Sequence, residues 1–251
     1  MRLFFAVLTA VFFLSACGGD SSSDSSADSS EPVATADTTP LGSATVSGAI
    51  SFTGTAPDMN RIRQGRECAE LNADPVYNES VVVNENGTLS NVFVYVKEGL
   101  GESNFAVPSE PVVFNQGGCV YTPHVFGIQV GQTLKILNGD PLMHNVNALA
   151  NENRPFNMGM PNQGDERERT FRVPEVMLQI KCDVHAWMNA YAGVVDHPFH
   201  SVSDNTGGFS IGQLPAGEYV LEAWHEEYGT ATQTVTVADG EAVSVDFSFG
   251  S

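Results

Sequence analysis

Along residues 44–54 apolar and polar side chains alternate, as in Thr45-Val46-Ser47-Gly48-Ala49-Ile50-Ser51-Phe52. A period of two predicts a half-buried β-strand, and Ser90 to Lys97 reads the same way. From Gly127 to Asn138 the alternation runs on both sides of a Gly131-Gln132 turn, predicting two short strands. Gly139-Asp140-Pro141 closes the second of them, and His144 opens another, facing the same way as Val146 and Ala148. In Val176-Met177-Leu178-Gln179-Ile180-Lys181-Cys182, one face is expected to carry Val176, Leu178, Ile180 and Cys182, and the other Gln179 and Lys181. Cys182 is therefore expected to point inward at a strand end. Further strands are expected near Phe209 and Val220. With 24 Gly and 13 Pro and few helical periods in 251 residues, the chain reads as all-β, with room for one large or two small domains.

The first residues have a different pattern. Met1-Arg2 is a short positive start, and Leu3 to Leu14 is almost wholly apolar. That run is too short to span a bilayer comfortably and reads as a secretory signal, residues 1–16. Leu14-Ser15-Ala16-Cys17-Gly18 resembles the lipobox of bacterial lipoproteins, which implies acylation of Cys17. Acyl chains contribute about 0.8 kcal/mol per buried CH₂, so two or more anchor stably. Residues 17–43 hold few large apolar side chains and are expected to form a flexible tether with a reach of roughly 30 Å. The expected location is lipid-anchored, in the periplasm or at the cell surface. Gly18 after Cys17 favours the outer membrane in lipobox-bearing families. Thirty acidic against 11 basic residues give a net charge of −19, which repels nucleic acid and favours basic partners.

Cys68, Cys119 and Cys182 follow Cys17. An odd thiol in an oxidising compartment calls for an explanation. The economical assignment is a disulfide between Cys68 and Cys119, with Cys182 left as a metal thiolate; the alternative is three unrelated buried thiols. Directly after Cys182 come Asp183-Val184-His185-Ala186-Trp187-Met188. One loop thus offers a thiolate, an imidazole and a thioether. Soft sulfur with imidazole favours copper. Zinc accepts two His and a Cys, but Met is a poor zinc ligand. Iron–sulfur clusters need more cysteines.

Residues 119–197 resemble the cupredoxin family. The resemblance rests on Tyr121-Thr122-Pro123, the Gly-Gln turn, Asn138-x-Asp140-x-x-x-His144-Asn145 and Cys182-x-x-His185-x-x-Met188. It implies a Greek-key β-sandwich with one type 1-like copper ion near one end. His144, Cys182 and His185 would be equatorial ligands and Met188 axial. The His185–Met188 spacing is shorter than in plastocyanin- and pseudoazurin-like proteins, so Met158 and Met160 stand as substitutes. The family also implies an apolar docking face around His185, here from Ala186, Trp187, Phe156, Met158 and Pro161; Trp187 packed in the core is the alternative.

Ser203 to Leu221 resembles the carboxypeptidase-regulatory-like β-sandwich, a family that usually begins with a strand like Val46–Phe52. This implies a second, smaller sandwich of the immunoglobulin/transthyretin type. It would be discontinuous, residues 44–104 with 198–250, with the cupredoxin unit at 105–197 inserted into it. His124, His197, His200 and His225 are expected to pack or hydrogen-bond rather than bind metal. The functional expectation is an electron carrier, not an enzyme, with a redox protein partner such as a basic cytochrome or oxidoreductase. Paired His-x-His motifs of multicopper oxidases are missing from the sequence, and a Cu-A loop would need a second Cys. Copper delivery is the alternative, mildly favoured by the two methionines at 158 and 160.

Overall fold

A computed structural model describes residues 38–250. The signal, Cys17 and most of the linker lie outside the described residues. The linker's last residues are not free. Thr39 donates its N–H to Asn104 O at 2.6 Å, and Gly42 donates to Gln213 O at 2.9 Å, so the chain is tied down from Thr39 rather than from residue 44.

Two strands and one helical turn come first: β1 (Ala44–Thr53), α1 (Arg66–Ala69) and β2 (Phe93–Glu98). Nine strands follow: β3 (Val112–Gly117), β4 (Val120–Thr122), β5 (Val125–Gln129), β6 (Leu134–Asn138), β7 (His144–Ala148), β8 (Phe156–Met160), β9 (Glu166–Arg169), β10 (Glu175–Lys181) and β11 (Asn189–Val195). The last six are β12 (His200–Val202), β13 (Gly208–Leu214), β14 (Gly217–His225), β15 (Gly229–Val237), β16 (Ala242–Ser244) and β17 (Phe247–Gly250).

The fold is all-β, as the alternation predicts, and comprises two sandwiches. Sheets ordered β5-β11-β10-β7-β8 and β4-β3-β6-β9 enclose one core, which includes Phe114, Ile136, Val146, Leu178, Ile180 and Ala192. Sheets β13-β1-β16, with β17 also on β1, and β12-β2-β14-β15 enclose another, built on Ile50, Val94, Leu221 and Phe247. The strands on either side of the Gly131 turn do not pair with each other. β5 lies beside β11 and β6 beside β3, so the turn carries the chain from one sheet to the other.

Phe93, Tyr95, Val125 and Val195 form a third cluster where the sandwiches meet, with Tyr191 and Trp224 against it. Gly127 and Gly193 lie opposite each other in the β5–β11 ladder. Side chains are missing at that spot, and the Phe93 ring fills the space. A Cβ on Gly193 would stand 2.3 Å from the ring, and one on Gly127 would stand 2.2 Å from His200 Nδ1. This smooth patch lets the two sheets approach.

β10 departs from the expected alternation at its start. A register shift falls between Glu175 and Leu178, and such a bulge re-aims the side chains before it. Val176 is 40% exposed, not inward with Leu178 and Ile180. Glu175 is buried instead, its carboxylate accepting from the N–H groups of Asn151 at 2.6 Å and Asn153 at 3.0 Å.

Candidate metal centre

The site forms where the ends of three neighbouring strands meet. β10 pairs with β7 through Ile180–Ala148 and Lys181–Asn147, and with β11 through Lys181–Asn189. His144 is therefore the first residue of β7, while Cys182, His185 and Met188 occupy the loop from β10 to β11. That loop is closed by its own backbone: Cys182 N–H donates to Met188 O at 3.0 Å and Met188 N–H to His185 O at 2.9 Å.

Ligand atoms of His144, Cys182 and His185 all lie within 4.8 Å of one another. His144 is fully buried, Cys182 is nearly so, and His185 is half-buried. His144 Nε2 sits 2.8 Å from Asp140 Oδ2, and the two Nδ1 atoms of His144 and His185 face each other at 3.0 Å. The hydrogen-bond network assigns the His144 proton to Nε2, which leaves Nδ1 with its lone pair toward His185. The Cys182 thiol donates to Asn145 Oδ1 at 3.3 Å, and its sulfur accepts the His185 N–H at 3.4 Å.

Burial alone would push the Cys182 thiol up. The His144 ring and the backbone N–H groups of Asn145, His185 and Val184 outweigh it and hold the thiol below its ordinary value. Burial would likewise lower His144, but the Cys182 sulfur and then the Asp140 carboxylate hold it above its usual range. His185 is lowered, first by burial and then by the His144 charge. The pocket thus favours the thiolate, the form of cysteine that binds metal.

Met188 is buried in the same core cluster as Cys182 and His144's neighbour Val146. Met160, opposite His144 in the β7–β8 ladder, has its sulfur engaged by Gln116 Nε2 at 3.0 Å. Met158, opposite Val146, is half-buried. Of the three thioethers, Met188 alone belongs to the ligand loop. Two imidazoles and a thiolate brought together, with the buried Met188 thioether in the same loop, are donors that suit copper.

The loop's start is tied down from outside. Asn145 Oδ1 accepts the Asp183 N–H at 2.7 Å, and the Asp183 carboxylate accepts from Asn145 Nδ2 (3.1 Å), Asn147 Nδ2 (3.1 Å) and Asn157 Nδ2 (2.7 Å). These amides, Asn147 first and Asn157 next, hold the Asp183 carboxyl below its usual range. Sequence reasoning missed Asn147, Asn157 and Asp183. No local motif marks them, because they meet only across three strands.

Cys68 and Cys119 are joined, with Cα atoms 5.6 Å apart. Both sulfurs lie within 4.8 Å of a His185 ring nitrogen, a proximity the sequence did not signal. Trp187 is neither free surface nor plain core, since its Nε1–H donates to Cys119 O at 2.9 Å. Phe156 lies 6.4 Å from Phe171 with Arg169 over its ring, lining a separate cleft. Beside the ligands in sequence, Met143 (52%), Val184 (48%) and Ala186 are exposed; Pro161 is also exposed, while Phe156, Met158 and Trp187 are half-buried.

The other histidines are occupied elsewhere. His124 Nε2 meets Glu226 at 2.7 Å, bridging the two sandwiches. His197 Nε2 bonds Val96 O at 2.8 Å. The rings of His200 and His225 lie against Phe93 and Tyr228.

A family model described as the carboxypeptidase regulatory-like domain matches residues 192–250. No curated protein matches the chain. Solved structures to which it is similar include the copper-containing nitrite reductase of Thermus scotoductus, 22% identical over 39% of this chain and 24% of that one, with a TM-score of 0.33. A purple cupredoxin of Nitrosopumilus maritimus is 23% identical over 33% of this chain and 98% of that one, with a TM-score of 0.29. A Cu(I) amicyanin variant is 20% identical over 40% of this chain and 97% of that one, with a TM-score of 0.31. The described residues form two β-sandwiches, and the carboxypeptidase-regulatory-like match falls mostly on strands of the second.

Proposed function

We propose that this chain is a lipid-anchored copper protein that carries single electrons outside the cytoplasm, with His144, Cys182 and His185 as equatorial ligands and Met188 as the axial one. The observation that carries this reading is the convergence of His144, Cys182 and His185 within 4.8 Å at the end of a rigid sandwich. A copper ion held there would supply one-electron Cu(II)/Cu(I) chemistry. The protein's part is to hold the donors still, so that little rearranges between the two states. Paired strands fix His144 and the loop ends, and the Asn145–Asp183 contacts fix the loop's start. His185, the least buried of the three, is the route by which electrons enter and leave. Anchoring through Cys17 and the 17–43 tether would keep the protein at a membrane surface.

Residues 44–104 and 198–250 together carry 16 Asp and Glu against 4 Lys and Arg, whereas residues 105–197 carry 9 against 6. A basic redox partner would accordingly be steered by the second sandwich while contacting the metal end.

Voltammetry of the copper-loaded protein tests the electron-carrier role. A reversible one-electron wave, with copper retained against a Cu(I) chelator, is the expected result. Loss of copper to the chelator on reduction would move the function to copper delivery.

A further inference from the structure

We infer that Asp140 is a positioning residue for the metal centre, setting the tautomer of His144 and the balance between Cu(II) and Cu(I); this rests on the copper reading above. Asp140 lies in the turn between β6 and β7, four residues before His144, and its side chain is 6% exposed. A buried carboxylate is costly unless its lone pairs are taken. Here they are. Oδ1 accepts the Gly118 N–H at 2.7 Å, and Oδ2 accepts the Cys119 N–H at 2.8 Å and His144 Nε2–H at 2.8 Å.

The donors come from a turn that is itself held on several sides. Gly118 and Cys119 have φ of 65° and 56°, a conformation that aims successive N–H groups at one acceptor. Cys119 is pinned to Cys68, and Gly118 O accepts from Gln64 Nε2 and Asn72 Nδ2, both at 2.9 Å. Cys119 O also receives the Trp187 indole N–H, two residues beyond His185. One turn thus supports His144 through Asp140 and the ligand loop through Trp187.

A carboxylate on the far nitrogen of a ligand imidazole fixes the ring's orientation and raises its basicity. Its charge stabilises the more highly charged metal ion. Asp140 therefore favours Cu(II) over Cu(I), an effect that a purely structural residue would not have.

The test has a metal-free arm and a metal arm. In the metal-free protein, at a pH where the ring is neutral, long-range nitrogen–proton NMR is expected to show His144 protonated at Nε2; a neutral ring protonated at Nδ1 overturns the inference whatever the variants do. In the loaded protein, Asp140→Asn is expected to weaken Cu(II) binding on the order of 10- to 100-fold while Cu(I) binding changes much less. Each tenfold change in that ratio raises the one-electron potential by about 59 mV. Equal losses of both affinities, with the potential unmoved, would reduce Asp140 to a structural role. A wild-type protein that forms no thiolate–copper band removes the copper reading itself, whereas a normal wild-type band beside an unshifted Asp140→Asn potential removes only this inference. Should Asp140→Asn not fold, the tautomer of the wild-type ring still decides.

Discussion

Gly193 sits in β11 where the sandwiches touch, so Gly193→Ala probes whether that contact is as tight as it looks. The added methyl carbon would lie 2.3, 2.4 and 2.7 Å from three carbons of the Phe93 ring, where ordinary contacts are near 3.5–4.0 Å. The ring must retreat by roughly 1 Å on that basis, yet it is fully buried and faces Tyr95 at 5.4 Å and His200 at 5.7 Å. Gly127 closes the other side, its own Cβ position being 2.8 Å from the same ring. Overpacking of this kind costs about 1–3 kcal/mol. Removing a glycine from the unfolded chain returns about 0.4–1 kcal/mol. A net loss of about 1–2 kcal/mol is expected from these two figures, read as a lower urea midpoint at unchanged slope. In a Phe93→Leu background the same substitution should cost much less, because the ring carbons it strikes are gone, and the two changes should be non-additive by about 1 kcal/mol or more. A neutral or stabilising Gly193→Ala, or strict additivity with Phe93→Leu, would refute the packing argument.

The buried pair His124–Glu226 should make stability depend on pH. Burial disfavours the charged ring, but Glu226 and then Glu79 hold His124 above its ordinary 6.5. The contribution is therefore full below about 6.5 and lost as pH rises through the higher folded value. Glu226→Gln should flatten the fall in urea midpoint from pH 6 to 9, and an unchanged slope would refute the assignment. His225 behaves oppositely, since burial first, and the His124 charge after it, depress its pKa to about 4. Its contribution is present above 6.5 and lost as pH falls toward 4, so His225→Phe should shift acid unfolding to lower pH, whereas an unchanged midpoint would count against it. Replacing both Cys68 and Cys119 by Ser opens a loop of sequence separation 51, and the chain-entropy relation gives a loss of about 4 kcal/mol; a melting temperature within a few degrees of wild type would contradict that.

Much of the site was legible because its parts are local in sequence. Leu178, Ile180 and Cys182 alternate into one core, and the loop after them contains His185 and Met188 within a few residues. His144 could be placed because a turn precedes it and apolar Val146 and Ala148 follow on its face. What escaped the sequence was juxtaposition. Glu166–Arg169 pairs with β6 although all four side chains are charged and exposed; with neither face buried, a strand leaves no alternation to read. The bulge that turns Val176 outward is a backbone event with no side-chain signature. Asp140 stands in the Asn138–His144 segment, but its role depends on the distant turn at Gly118–Cys119. Nothing in the spacing of Cys68 and Cys119 brings their disulfide beside His185. The Gly127–Gly193 patch likewise has meaning only once β5 and β11 lie side by side.

The measurement that tests the central claim most directly is the visible absorption and EPR spectrum of the soluble part, residue 38 onward, loaded with Cu(II) and set beside Cys182→Ser. An intense thiolate-to-copper band is expected in the wild type, bleached by a mild reductant, restored by an oxidant and missing from the variant. A colourless wild-type protein, or a spectrum indifferent to Cys182→Ser, would contradict it.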